Sequence, residues 1–109
     1  MRKTIVVLVM AASLAIPASA AAGVRLVRVT SPISPGSFAS LTVSVNRTAT
    51  CSITVYYKSG PSHAAGLYPQ RGKRISWTWK VGTRTTPGRW PITVACGSAG
   101  TLHTSFVVT

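Results

Sequence analysis

From Val24 onward the chain alternates apolar and polar residues in short runs, the pattern that a half-buried β-strand requires and a helix cannot use. Leu41, Val43 and Val45 alternate with Thr42 and Ser44. Cys51, Ile53, Val55 and Tyr57 share one parity against Ser52, Thr54 and Tyr56. Ile75, Trp77, Trp79 and Val81 alternate with Ser76, Thr78 and Lys80. Trp90, Ile92, Val94 and Cys96 follow the same rule, as do Leu102, Thr104, Phe106 and Val108. With 24–30 added, the pattern predicts six strands, labelled A (24–30), B (38–45), C (51–57), E (74–81), F (89–96) and G (102–108). Turn residues separate them at Ser34-Pro35-Gly36, Ser59-Gly60-Pro61, Arg71-Gly72-Lys73, Thr86-Pro87-Gly88 and 97–100. The longest connection, 58–73, has room for an irregular edge strand near 66–68. The expected class is all-β, an antiparallel β-sandwich of about six to seven strands.

The amino terminus is of another kind. Met1-Arg2-Lys3 is positive, 4–16 is uncharged and mostly apolar, and Ala18-Ser19-Ala20 supplies small residues where a signal peptidase reads. This is the A-x-A pattern of a secretory signal. It predicts a signal-peptide helix over 1–20, cleavage after Ala20 and a single domain over 21–109, with no membrane segment after cleavage. The apolar run is too short for the roughly 20 residues of a spanning helix. The expected location is therefore extracellular or at the cell envelope. In such an oxidising compartment Cys51 and Cys96, the only two cysteines, predict one disulfide. No C-x-x-C spacing points to a reactive or metal-bound pair. If the strands follow an immunoglobulin-like order, C and F are antiparallel neighbours, and the bridge joins two strands of one sheet.

The runs CSITVYYKSGPSHAAGL, ISWTWKVGTRTTPGRWPITVACG and the closing TSFVV resemble the bacterial immunoglobulin-like and fibronectin-type modules of secreted and surface proteins. Val81-Gly82, Thr85 and Pro87-Gly88, followed by Trp90, match the strand, turn and aromatic-led strand of their later half. The resemblance spans 38–108. It implies an Ig-like sandwich acting as a spacer, or as an adhesive or ligand-presenting unit.

Charge narrows the chemistry. The chain has 12 Lys plus Arg and no Asp or Glu, whereas ordinary domains carry charges of both signs. Acid–base catalysis by paired carboxylates and a Ser-His-Asp triad are excluded, and calcium or magnesium sites lose their usual ligands. His63 and His103 alone do not complete a zinc site. The expectation is a non-enzyme without cofactor or metal. Its expected partners are anionic polymers: a phosphate-bearing wall polymer, an acidic polysaccharide or extracellular nucleic acid. Arg71, Lys73, Arg74, Lys80, Arg84 and Arg89 crowd the stretch that also holds Trp77, Trp79 and Trp90. Basic residues interleaved with aromatics are what a polyanion-binding surface uses. The parity shared by Trp77 and Trp79 with Ile75 and Val81 equally fits core packing. The sequence thus predicts a secreted, basic, non-catalytic binding or structural module. A carbohydrate-binding module with exposed tryptophans and a cationic defence or signalling protein are the alternatives.

Overall fold

A computed structural model describes residues 23–109. The expected signal-peptide helix, 1–20, lies outside the described residues. The elements in order are β1 (Val24–Val29), β2 (Phe38–Tyr57), β3 (Gly60–Pro61), β4 (Gln70–Lys80), β5 (Gly88–Ala95), a 3-10 turn (Gly97–Ala99) and β6 (Thr101–Val108). The described residues are all-β with no α-helix, and every strand pair is antiparallel.

The sheet is organised by β2. Its first half pairs with β1 on one side and β4 on the other. Its second half, from Ser52 to Val55, pairs with β5, which pairs with β6. The expected strands B (38–45) and C (51–57) are therefore one strand of 20 residues. The polar run Asn46-Arg47-Thr48 interrupts the apolar alternation and reads as a connection. It contains no Gly or Pro to turn the backbone, so the chain stays extended and bends at a register shift between Ser44 and Ala49. β4 follows the bend, pairing Gln70, Arg71 and Gly72 with Cys51, Thr50 and Ala49. Arg71-Gly72-Lys73 thus lies inside a strand, and strand E starts four residues earlier than its alternation indicates.

The bend curls the sheet so that its apolar side closes on itself. Leu41, Val43, Ile75, Trp77 and Trp79 meet Val55, Ile92, Val94 and Phe106 in one buried cluster. Trp79 and Phe106 pack edge to face at 5.8 Å, and Tyr57 meets Phe106 in the same way at 6.1 Å. Each such ring contributes on the order of 3 kcal/mol or more, judged by the cost of truncating buried aromatics to alanine.

The edges are covered by irregular chain. Near 66–68 there is no strand; the only short extra strand is β3, paired with Tyr56 and Tyr57. The 64–69 segment instead lies along β4, where the Trp77 indole N–H donates to the Tyr68 carbonyl at 2.8 Å. Gly66 is required there: its φ is +99°, and a Cβ would stand 2.1 Å from the Thr78 carbonyl oxygen. On the opposite side Ile33 makes a parallel bridge to Val108, with Ile33 N–H donating to Val107 and Thr109 N–H to Ile33, both at 2.9 Å.

Cys51 and Cys96 are joined, with Cα atoms 4.1 Å apart. Ser52 pairs with Ala95, so the bridge occupies the next cross-strand position and ties neighbouring strands, as expected. Both cysteines are buried. The bridge spans 45 residues of sequence and stabilises by about 4 kcal/mol on chain-entropy grounds. A Cys51→Ala/Cys96→Ala variant is accordingly expected to lose about 2–4 kcal/mol in urea unfolding. A loss below about 1 kcal/mol would mean that the bend in β2 holds without its tie.

A basic, hydroxyl-rich sheet face as candidate functional site

Pairing across β1, β2 and β4 decides which side chains share the outer face. One rung runs Arg25, Ser44, Arg74 and the next Arg28, Thr42, Ser76. Ser40 then pairs with Thr78, and Phe38 with Lys80. Neighbouring strands lie about 4.8 Å apart, so the Arg25 and Arg74 backbones stand about 10 Å from each other across Ser44. Arg25 and Arg28 are three residues apart and would face opposite sides of a regular strand. A register shift between Leu26 and Arg28 returns Arg28 to the side of Arg25.

Hydroxyls fill the space between the cations. Thr42 and Ser76 share a hydrogen bond of 2.7 Å, which lets Thr42 be almost fully buried. Thr30 and Ser40 share another at 3.3 Å. Among the described residues no side-chain hydrogen bond engages Arg25, Arg28 or Arg74. With no acidic side chain in the sequence, these guanidiniums repel one another and keep their donors for an external acceptor.

The six basic residues singled out by sequence density do not form one patch. Arg74 and Lys80 lie on this face. Arg71 stands at the bend and donates to the Thr50 hydroxyl at 3.2 Å, with exposed Lys73 beside Arg74. Arg84 lies in the β4–β5 loop. Arg89 is on the other half of the sheet, donating to the Ser105 hydroxyl at 3.0 Å. Arg25 and Arg28 lie outside that dense stretch, and register brings them to Arg74.

The tryptophans divide as well. Trp77 and Trp79 are 1% and 0% exposed, so they belong to the core and offer no surface for stacking. Trp90 is partly buried, donating its indole N–H to the Thr86 carbonyl at 2.8 Å and packing edge-on to Tyr57 at 6.4 Å. Trp77, Trp79 and Trp90 therefore form no exposed tryptophan strip of the kind that the carbohydrate reading uses. His63 lies in an exposed loop, whereas His103 projects from β6 with Nδ1 3.3 Å from the Thr93 hydroxyl. Among the described residues no three His, Cys, Asp or Glu side chains gather as a metal site. No helix among them is long and apolar enough to cross a membrane.

No protein-family model matches the chain, and no curated protein matches it in sequence. Residue geometry alone carries the functional argument.

A second group of cations sits at one end of the sheet. Two adjoining clefts, of about 250 and about 370 Å³, open between the β2–β3 turn and the β4–β5 loop. Tyr57 borders both, Lys58 and Arg84 line the smaller, and Lys80 and His63 line the larger. The Tyr57 phenol oxygen accepts the Trp79 indole N–H at 3.2 Å. Burial raises the Tyr57 pKa above its ordinary value of 10.0, and the Trp79 hydrogen bond offsets part of that rise.

A raised pKa means that the folded state keeps this proton where the unfolded chain has begun to lose it. The contribution is intact below about pH 10 and declines above it. Relative to the native protein, Tyr57→Phe is expected to flatten the fall in unfolding free energy above about pH 10. Parallel pH profiles for the two proteins would show that the phenol is not held by its surroundings.

Proposed function

We propose that the chain is a secreted, non-catalytic, Ig-like module that associates with anionic polymers of the cell envelope or extracellular space through the outer face of β1, β2 and β4. The observation that carries this reading is the pair of rungs, Arg25–Ser44–Arg74 and Arg28–Thr42–Ser76, on a chain without carboxylate side chains. Guanidiniums present donors in a planar fork suited to phosphate, sulfate and carboxylate oxygens. A polymer carrying regularly spaced negative charges relieves the repulsion among these cations at several points together.

Several features support the sandwich and the compartment. The pairing of β1 with the first half of β2 and β4, and of the second half of β2 with β5 and β6, matches the A-B-E and C-F-G groupings of Ig-like domains. The disulfide is compatible with an extracellular location, and the 1–20 pattern supports export. Two further points favour binding over catalysis: no Asp or Glu is present for general acid–base work, and the only two cysteines are joined to each other. Burial of Trp77 and Trp79 favours charge over sugar stacking as the source of affinity.

Affinity of this kind weakens with salt, with each phosphate contact contributing roughly 0.7–0.9 to the slope of log affinity against log salt. Retention on an immobilised phosphate polymer is expected to fall steeply with salt. An Arg25→Gln/Arg28→Gln/Arg74→Gln variant should have a slope shallower by about two to three units. An Arg47→Gln/Arg89→Gln variant, with the same loss of charge per site on other surfaces, should change less. Equal effects from the two variants would assign the affinity to net charge instead of this face.

A further inference from the structure

We infer that the cleft between the β2–β3 turn and the β4–β5 loop is a discrete subsite for one phosphate or sulfate group, held by the Tyr57 hydroxyl, Lys58 and Arg84. This goes beyond affinity of the sheet face for a polymer, because it concerns a concave site built from different residues.

Three directions of approach converge there. Tyr57 ends β2 and supplies a half-buried wall, Lys58 follows it on the β2–β3 turn, and Arg84 faces them from the β4–β5 loop. Thr85 N–H donates to the Gly82 carbonyl at 3.1 Å, closing a tight turn whose Gly82, Thr85 and Thr86 line the same cleft. The volume of about 250 Å³ is several times the roughly 30 Å³ share of a water molecule. It has room for a tetrahedral oxyanion together with the atoms that attach it to a larger molecule.

The chemistry of the lining favours an acceptor-only ligand. The Tyr57 oxygen already accepts from the buried Trp79 indole, so its own proton is left to donate. A phenol with its ordinary pKa of 10.0 already keeps that proton at neutral pH, and burial raises the value further. Lys58 and Arg84 offer only donors, and no carboxylate side chain exists to compete for them. The Thr86 carbonyl, in the same loop, already accepts the Trp90 indole N–H at 2.8 Å. Donors arriving from two loops and a wall suit the oxygens of a tetrahedral anion better than the coplanar pair of a carboxylate. Lys80 borders the adjoining cleft and also ends the rungs of the sheet face, so a polymer lying on that face can present one of its groups here.

The test is an amide NMR titration of the protein with inorganic phosphate and with sulfate at constant ionic strength, chloride serving as the control. The expected result is saturable shifts at Ser59, Gly82, Thr85 and Thr86 with phosphate or sulfate and none with chloride. Arg84→Gln and Lys58→Gln alter exposed turn residues and leave the core untouched. Each is expected to weaken binding about tenfold, the scale of one charge-assisted hydrogen bond, and Tyr57→Phe somewhat less. Arg47→Gln should leave the affinity unchanged. Shifts that fail to saturate, an Arg84→Gln variant that binds as tightly as the native protein, or an Arg47→Gln variant that loses as much would each overturn the assignment. Repeating the titration with short polyphosphate on the Arg25→Gln/Arg28→Gln/Arg74→Gln variant separates the two sources of the group. Cleft shifts that persist while polymer affinity falls identify a site for a single end group independent of the sheet face. Cleft shifts that vanish with the face, for inorganic phosphate as well, would overturn the discrete site.

Discussion

Twenty consecutive residues of β2 serve two sets of partners, and the cystine lies where one set gives way to the other. Before the bend β2 pairs with β1 and β4; after it β2 pairs with β5 and β6. Cys51 is the last β2 residue paired with β4, and Cys96 follows directly on β5. A covalent tie at that point fixes the direction in which the second half of the strand leaves the first. That direction allows Trp79 to reach Phe106 and Tyr57 across the interior. Before the bend, strand alternation and the shift in β1 put Ser40, Thr42 and Ser44 on one outer face with Arg25, Arg28 and Arg74, while Leu41 and Val43 go inward. Core and basic face are two sides of one strand.

The absence of acidic side chains removes salt bridges from the forces that hold this fold. What remains is apolar burial, the backbone ladder, one disulfide and hydroxyl hydrogen bonds such as Thr42–Ser76. Arg47, Arg71 and Arg89 each donate to a serine or threonine hydroxyl in place of a carboxylate. Such bonds orient a guanidinium without neutralising it, so the positive field of the surface stays intact. A bound anion then adds stability by relieving repulsion as well as by mass action. On the proposed reading, the sheet face offers that relief along an extended surface and the end cleft in an open concavity.

Much of the interior was legible in the sequence because parity alone assigns it. Leu41, Val43, Val55, Ile75, Trp77, Trp79, Val94 and Phe106 are all buried as their alternation requires. Parity fails where it is silent about backbone direction. The polar run at 46–48 carries no inward residue and reads as a loop, although nothing in it turns the chain. Arg71-Gly72-Lys73 has the composition of a turn, yet β2 offers it partners on the far side of the bend. The site was legible only in kind. Cationic excess is a property of composition, but its arrangement depends on register between strands far apart in sequence. Arg74 and Arg89 are close along the chain and end on different halves of the sheet, whereas Arg25 and Arg74 meet across Ser44. The bulge that turns Arg28 to the same side leaves no mark in local composition.

The central claim is that the outer face of β1, β2 and β4, and not net charge at large, receives an anionic polymer. Arginine side-chain NMR resolves this residue by residue, because each guanidinium Nε–H reports its own surroundings. On adding a phosphate polymer, the account predicts that the Arg25, Arg28 and Arg74 signals move first and furthest, while Arg47 and Arg89 stay close to their free positions. Uniform movement of all the arginines, or movement led by Arg47 and Arg89, would contradict it.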